Sequence, residues 1–134
     1  MKEEQATVEI IGAAIEVHRA LGPGLLESVY EECLAVELGL RRLPYARQQS
    51  VPLRYKGQAI GTDLKIDLVV EDRVVVELKA VEKLLPVHEA QILTYLRLTG
   101  KQVGLLINFN VPLLKEGIRR FLNHPTLRVS VPPW

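Results

Sequence analysis

The sequence predicts a mixed α/β fold: a central β-sheet built from a three-strand meander plus one parallel strand, flanked by helices. Three observations carry this expectation. Two segments with helical apolar spacing open the chain, and each runs into a glycine. Three strand-like runs follow, separated by short polar turns. A helix-length segment then leads from the third run to another apolar run, and a strand–helix–strand step of this kind sets its two strands parallel.

Residues 7–21 place Val8, Ile11, Ile15 and His18 on one helical side, and Gly22-Pro23-Gly24 stops the helix. A second helix is expected over residues 25–38. Leu26, Val29, Cys33, Val36 and Leu40 form its apolar stripe, Glu27, Tyr30, Glu31 and Leu34 share the neighbouring face, and Gly39 is the expected cap. Residues 48–55 alternate as a strand up to the Lys56-Gly57 turn. Residues 59–70 and 73–80 are the next two strands, joined at Glu71-Asp72. Pro86 introduces a helix over 87–99 that Gly100 closes, and 102–109 read as a buried strand. Residues 113–122 read as a helix, and 127–131 as a last edge strand before Pro132-Pro133. No repeat, linker or low-complexity stretch interrupts this order, so one domain over residues 1–134 is expected.

A hydrophobic share of 48% and a charged share of 25% are globular values, which argues against the disordered and fibrous classes. Cys33 is the only cysteine, so no intramolecular disulfide can form, and this usage fits a cytoplasmic protein. Glu9 and Glu16 break the first apolar stretch, so neither a secretory leader nor a membrane association is expected. The net charge of +1 hides an asymmetry. Residues 1–37 hold eight acids against Lys2 and Arg19, whereas residues 38–62 hold none beside Arg41, Arg42, Arg47, Arg54 and Lys56. From Ala90 onward Glu116 is the only acid, against Arg97, Lys101, Lys115, Arg119, Arg120 and Arg128. Such segments could hold a polyanion if they converge, or simply be solvated surface.

The residues that carry chemistry lie in the strands. Glu77 and Lys79 are two apart, so both leave one face of a strand whose neighbours are valine, leucine and alanine. Asp67 stands in a similarly apolar run. Burying a carboxylate costs several kcal/mol unless a partner or a metal compensates. A divalent cation suits such oxygens, and Mg²⁺ keeps several waters when bound by them. Taken alone, however, an E-x-K triplet is common and reads as an ion pair on a sheet face.

The wider pattern resembles a known family. Gly24-Leu25-Leu26-Glu27-Ser28-Val29-Tyr30, preceded by Val17-His18-Arg19-Ala20-Leu21-Gly22-Pro23, is similar to the signature of the GxxExxY family within the PD-(D/E)XK, or restriction-endonuclease-like, nuclease superfamily. Ile66-Asp67 matches the "PD" position, with isoleucine in place of proline, and Glu77-Leu78-Lys79 matches "(D/E)XK". Gln91-Ile92-Leu93-Thr94-Tyr95 resembles the Q-x-x-x-Y helix motif of the exonuclease-like branch. The resemblance covers residues 10–122. It implies a restriction-endonuclease-like core and a nuclease that hydrolyses phosphodiester bonds of nucleic acid, DNA before RNA. By the same resemblance Asp67, Glu77 and the Leu78 carbonyl would ligate Mg²⁺ or Mn²⁺, with Glu27 in support. Lys79 would position the attacking water, Gln91 would steady the lysine–acid pair or approach the substrate backbone, and Tyr95 would share its face.

Two other classes stand beside that one. The modest net charge and short chain also suit a non-catalytic nucleic-acid- or protein-binding module, or a subunit that dimerises to build a composite groove. Among single residues, His18 is expected to bond the Gly-Pro-Gly turn, His88 to serve the start of its helix, and Tyr30 and Cys33 to fill the core. Glu31 and Glu32 read as solvated, although Glu31 is one turn from Glu27. Arg41, Arg42, Arg47 and Arg54 are the arginines best suited to phosphate, whose oxygens guanidinium binds in pairs. Trp134 would stack on a neighbouring surface or be mobile.

Overall fold

The first helix, α1 (Glu3–Leu21), carries Glu3 and Glu4 in its first turn and His18 and Arg19 in its last, charges that complement the helix dipole. It ends where Gly22 adopts φ 70 and donates its N–H to the His18 carbonyl at 2.7 Å. The computed structural model of the chain describes residues 1–123. The edge strand expected over 127–131, Arg128 and Trp134 lie outside the described residues.

The buried face of α1 is not the stripe of large residues. Ala6, Ile10, Ala13, Ala14 and Val17 pack inward while Val8 is exposed, because the small alanines let the helix approach its neighbours closely. The second helix, α2 (Glu27–Leu40), likewise buries a row other than its stripe of large residues. Leu26, Val36 and Leu40 face outward, and Tyr30, Leu34 and Leu38 face the core. The row that includes Glu27 and Glu31 thereby turns toward the sheet. Gly39 lies inside this helix rather than capping it; the reversal comes at Arg42, with φ 60.

The main sheet contains β1 (Tyr45–Val51), β4 (Leu64–Val70), β5 (Val74–Lys79), β6 (Val103–Asn108) and β7 (Ile118–Leu122), in that spatial order. All pairs are antiparallel except β5 with β6. Their parallel crossover runs through α3 (Pro86–Thr99), which starts on proline and ends at Gly100 with φ 73, close to the bounds read from the sequence. This mixed sheet with flanking helices is a restriction-endonuclease-like fold. Among the described residues no helix is long and apolar enough to cross a membrane.

Two expectations about strands need correction. The first strand was expected over 48–55 and the second over 59–70. Pro52 has no N–H to continue a ladder, so β1 stops at Val51. Residues Arg54–Tyr55 (β2) and Gln58–Ala59 (β3) form a separate two-stranded hairpin around the positive-φ pair Lys56-Gly57. The helix expected over 113–122 is a short 3₁₀ turn, Leu114–Gly117, followed by β7. At Gly117 an added Cβ would lie 2.2 Å from the Asn108 carbonyl oxygen, so only glycine lets the chain return against β6. The apolar spacing of Leu114, Ile118 and Phe121 suits a helix, but the open edge of β6 supplies a ladder instead.

Two apolar layers sandwich the sheet. One unites α1 and α2 with Val74, Val76 and Leu78 of β5 and with Leu105 and Ile107 of β6. The other unites Ile92, Tyr95 and Leu96 of α3 with Val75 and Leu106. In β4 the faces switch: Leu68 and Val70 join the first layer, whereas Ile66 and Leu64 join the second. The switch falls at Asp67. Opposite it stands Gln48, held at φ 49 where the β1–β4 ladder skips a pair. The β4–β5 ladder ends next door, at Leu68 with Val76.

Candidate functional site

This break in the sheet leaves main-chain groups without ladder partners, and acidic side chains take their place. Glu77 Oε2 accepts the N–H of Asp67 at 2.7 Å, and Asp67 Oδ2 accepts the N–H of Leu78 at 2.8 Å. Each carboxylate thus closes the other strand's open backbone. Glu77 is only 3% exposed, and its pKa is pushed up to about 8 by burial first and by the Asp67 charge second. Burial also raises Asp67, against the lowering effect of the Leu78 N–H.

Lys79 closes β5 one pleat beyond Glu77 and lowers the pKa of Glu77, Asp67 and Glu27 by its charge. Its Nζ donates to Gln91 Oε1 at 3.3 Å, and Gln91 Nε2 donates to the Tyr95 hydroxyl at 3.2 Å. The four-residue spacing of Gln91 and Tyr95 stacks them one turn apart on α3, which makes this relay possible. Burial, then the Glu77 charge, raises the Tyr95 pKa. Glu27 enters from the first turn of α2; burial raises its pKa, opposed by Lys79 and reinforced by Asp67 and Glu31. Glu27, Asp67, Glu77, Lys79, Gln91 and Tyr95 therefore occupy one electrostatic neighbourhood.

The structure adds residues that sequence reasoning missed or misread. Gln48 Nε2 donates to Asp67 Oδ1 at 3.2 Å and to Glu31 Oε1 at 2.8 Å. Glu31, expected at the solvated surface, is only 8% exposed and also accepts from Arg47. Its one-turn spacing from Glu27 was the available signal; Gln48 had none. Of the four arginines suited to phosphate, Arg47 is held by Glu31, and Arg41 is held by Glu37 and Glu9. Arg42 is exposed, and Arg54 lies on the β2–β3 hairpin.

Tyr30 belongs to the core: its hydroxyl donates to the Gly22 carbonyl and accepts the Leu25 N–H, and its ring stacks on Phe109. The His18 imidazole bonds the Val111 carbonyl, and only its main-chain carbonyl meets the Gly-Pro-Gly turn. His88 Nδ1 accepts the Leu85 N–H at the start of α3. Cys33 is half-buried beside the first layer.

Among the described residues no three His, Cys, Asp or Glu side chains are gathered closely enough to chelate an ion as they stand. The donor chemistry nevertheless fits a hard divalent cation. Burial raises the pKa of both carboxylates, helped by the Glu31 charge at half-buried Asp67 and by the Asp67 charge at buried Glu77, and three of their four oxygens accept from neutral N–H donors, leaving Glu77 Oε1 without one among the described residues.

No curated protein and no solved structure matches the chain significantly. A family model of the PD-(D/E)XK nuclease superfamily matches residues 4–121, a span from α1 to β7 that takes in both strands of the carboxylate pair and the helix that holds Lys79. The chain belongs to the PD-(D/E)XK nuclease superfamily.

Proposed function

We propose that this chain is a metal-dependent nuclease that hydrolyses phosphodiester bonds in DNA, and that within its superfamily it is a GxxExxY-type member. One observation carries the reading: the reciprocally bonded pair of half-buried Asp67 and buried Glu77 lies beside a lysine that Gln91 holds in place. Asp67, Glu77 and the Leu78 carbonyl would hold Mg²⁺ or Mn²⁺, with Glu27 in support. When bound, such an ion supplies Lewis-acid polarisation of the phosphoryl group.

The chain's own residues do the rest. Lys79, restrained by Gln91, orients a water for in-line attack and stabilises negative charge as it develops on the phosphoryl oxygens. Tyr95 fixes the Gln91 amide so that its oxygen, not its nitrogen, meets the lysine. Gln48 and Leu78 hold the two oxygens of Asp67, which restricts that carboxylate to one orientation.

The test is calorimetric titration with Mn²⁺ on wild type and Asp67→Ala, followed by cleavage assays on single-stranded, double-stranded and branched DNA. Binding that is lost in the variant, together with cleavage by wild type alone, is the expected result. A protein that cleaves none of these substrates in Mg²⁺ or Mn²⁺ refutes the reading. A second reading, a non-catalytic nucleic-acid-binding module, draws on the same site: the carboxylates already find donors in Asp67 N–H and Leu78 N–H. DNA binding without metal, unchanged in Asp67→Ala, would favour it.

A further inference from the structure

The β2–β3 hairpin buries none of its four paired residues, and neither strand is hydrogen-bonded into the main sheet. A lone two-stranded hairpin is marginal in water. This one is pinned by its Lys56-Gly57 turn, by the Ile60 N–H bonding the Leu53 carbonyl, and by Arg54 donating to the Gly57 carbonyl at 2.9 Å. It connects β1 to β4, so it springs from the sheet end where β4 begins, three residues before Asp67. Because β5 runs antiparallel to β4, Lys79 at its last position lies toward that same end.

The composition of the hairpin is selective. Tyr55 is 64% exposed, and Lys56 Nζ stands 5.5 Å from its ring centroid. Arg54, Lys56 and Lys65 pair with no acid among the described residues, unlike Arg41, Arg47, Arg73, Lys101 and Arg119. An exposed ring with Lys56 beside it and Arg54 preceding it in the chain suits a strand of phosphates with accessible base faces. In a duplex the base faces are stacked away, so an aromatic side chain can stack only on an unpaired or terminal base.

We propose that the Arg54–Ala59 hairpin is a substrate arm that binds unpaired DNA beside the carboxylate site, with Tyr55 stacking on a base and Arg54 and Lys56 holding phosphates. This rests on the nucleic-acid reading above and extends it to a substrate class: DNA with a single-stranded stretch next to the scissile bond.

The experiment measures fluorescence anisotropy of a labelled oligothymidylate and of a labelled blunt duplex, with a chelator present so that no cleavage occurs. The expected result is single-strand affinity about tenfold lower in Tyr55→Ala and retained in Tyr55→Phe, with duplex affinity little changed. The double variant Arg54→Ala/Lys56→Ala should lower the slope of log affinity against log salt by about 1.4, two single-strand phosphates' worth. Thermal melting of each variant confirms that the fold is intact. Wild-type affinity in Tyr55→Ala, an equal loss on duplex, or no single-strand binding by wild type overturns the proposal. If the arm binds as described but wild type never cleaves with Mn²⁺, the arm stands and the nuclease reading fails.

Discussion

Asp67 and Glu77 each accept a hydrogen bond from the backbone of the other's strand: Glu77 takes the Asp67 N–H, and Asp67 takes the Leu78 N–H. This reciprocal arrangement replaces the β4–β5 ladder beyond Leu68 and Val76. It explains how two acids tolerate burial next to each other. Charge-assisted bonds to amides favour the ionised forms, while burial opposes them, joined by the Glu31 charge at Asp67 and the Asp67 charge at Glu77, and opposition wins for both. The pair is poised to gain from any added positive charge.

That balance predicts a pH dependence of stability. Glu77 ionises near 4.5 when solvated and near 8 in the fold. Between those values the folded state keeps a proton that the unfolded chain has released, so stability falls as pH rises through the window. The drop is on the order of a few kcal/mol, shared with the coupled Asp67. Melting temperatures of the metal-free protein should decline from pH 5 to pH 8, and Glu77→Gln should flatten most of that slope. A wild-type profile that is level or rising would show that the carboxylates are better stabilised than their burial implies.

Lys79 and Asp67 should separate binding from chemistry. Lys79→Ala removes the group that orients water but leaves the carboxylates, so cleavage should fall by about 10²–10³-fold with Mn²⁺ binding retained. Asp67→Ala should lose both. Loss of Mn²⁺ binding in Lys79→Ala, checked by calorimetry, would place the lysine in support of the carboxylates rather than of the water.

Gln48 offers a test of strain at the same site. It sits at φ 49, where a side chain costs about 1 kcal/mol or more relative to glycine, and its amide ties Glu31 to Asp67. Gln48→Ala keeps the strain and loses both bonds, whereas Gln48→Gly loses the bonds and relieves the strain. In urea unfolding the glycine variant should be the more stable of the two by about 1 kcal/mol. Both should bind Mn²⁺ more weakly than wild type, because Asp67 Oδ1 is released. Equal stabilities would mean that the backbone relaxes around position 48.

Much of this site was legible because its parts are local. Glu77 and Lys79 share a strand face, Gln91 and Tyr95 share a helix face, and spacing alone reports both. The face of α2 that carries Glu27 was also visible, although the wrong row was read as the buried one, since Leu26 and Leu40 outweigh Ala35 in apolar character but not in packing. What was not legible depends on partners distant in sequence. Glu31 is buried because Arg47 and Gln48 arrive from β1 to satisfy it. Gln48 has no preference for positive φ; the register of β1 on β4 imposes it. The strand β7 exists because Gly117 can touch the Asn108 carbonyl, a contact no periodicity announces.

Asn108 itself links the fold to the site. Buried to 2% exposure at the end of β6, it accepts the Val81 N–H at 3.0 Å, donates to the Val81 carbonyl at 2.9 Å and accepts the Asn110 N–H. These bonds fasten the segment that leaves β5 directly after Lys79, whose own carbonyl accepts the Phe109 N–H. Asn108→Ala would strand buried donors and an acceptor, so a loss of about 2 kcal/mol in urea unfolding is expected. Because Val81 no longer fixes the exit from β5, the Lys79–Gln91 bond should loosen as well. Cleavage should therefore fall further than the unfolded fraction accounts for, with Mn²⁺ affinity nearly unchanged. Activity that merely tracks the folded population would confine Asn108 to stability.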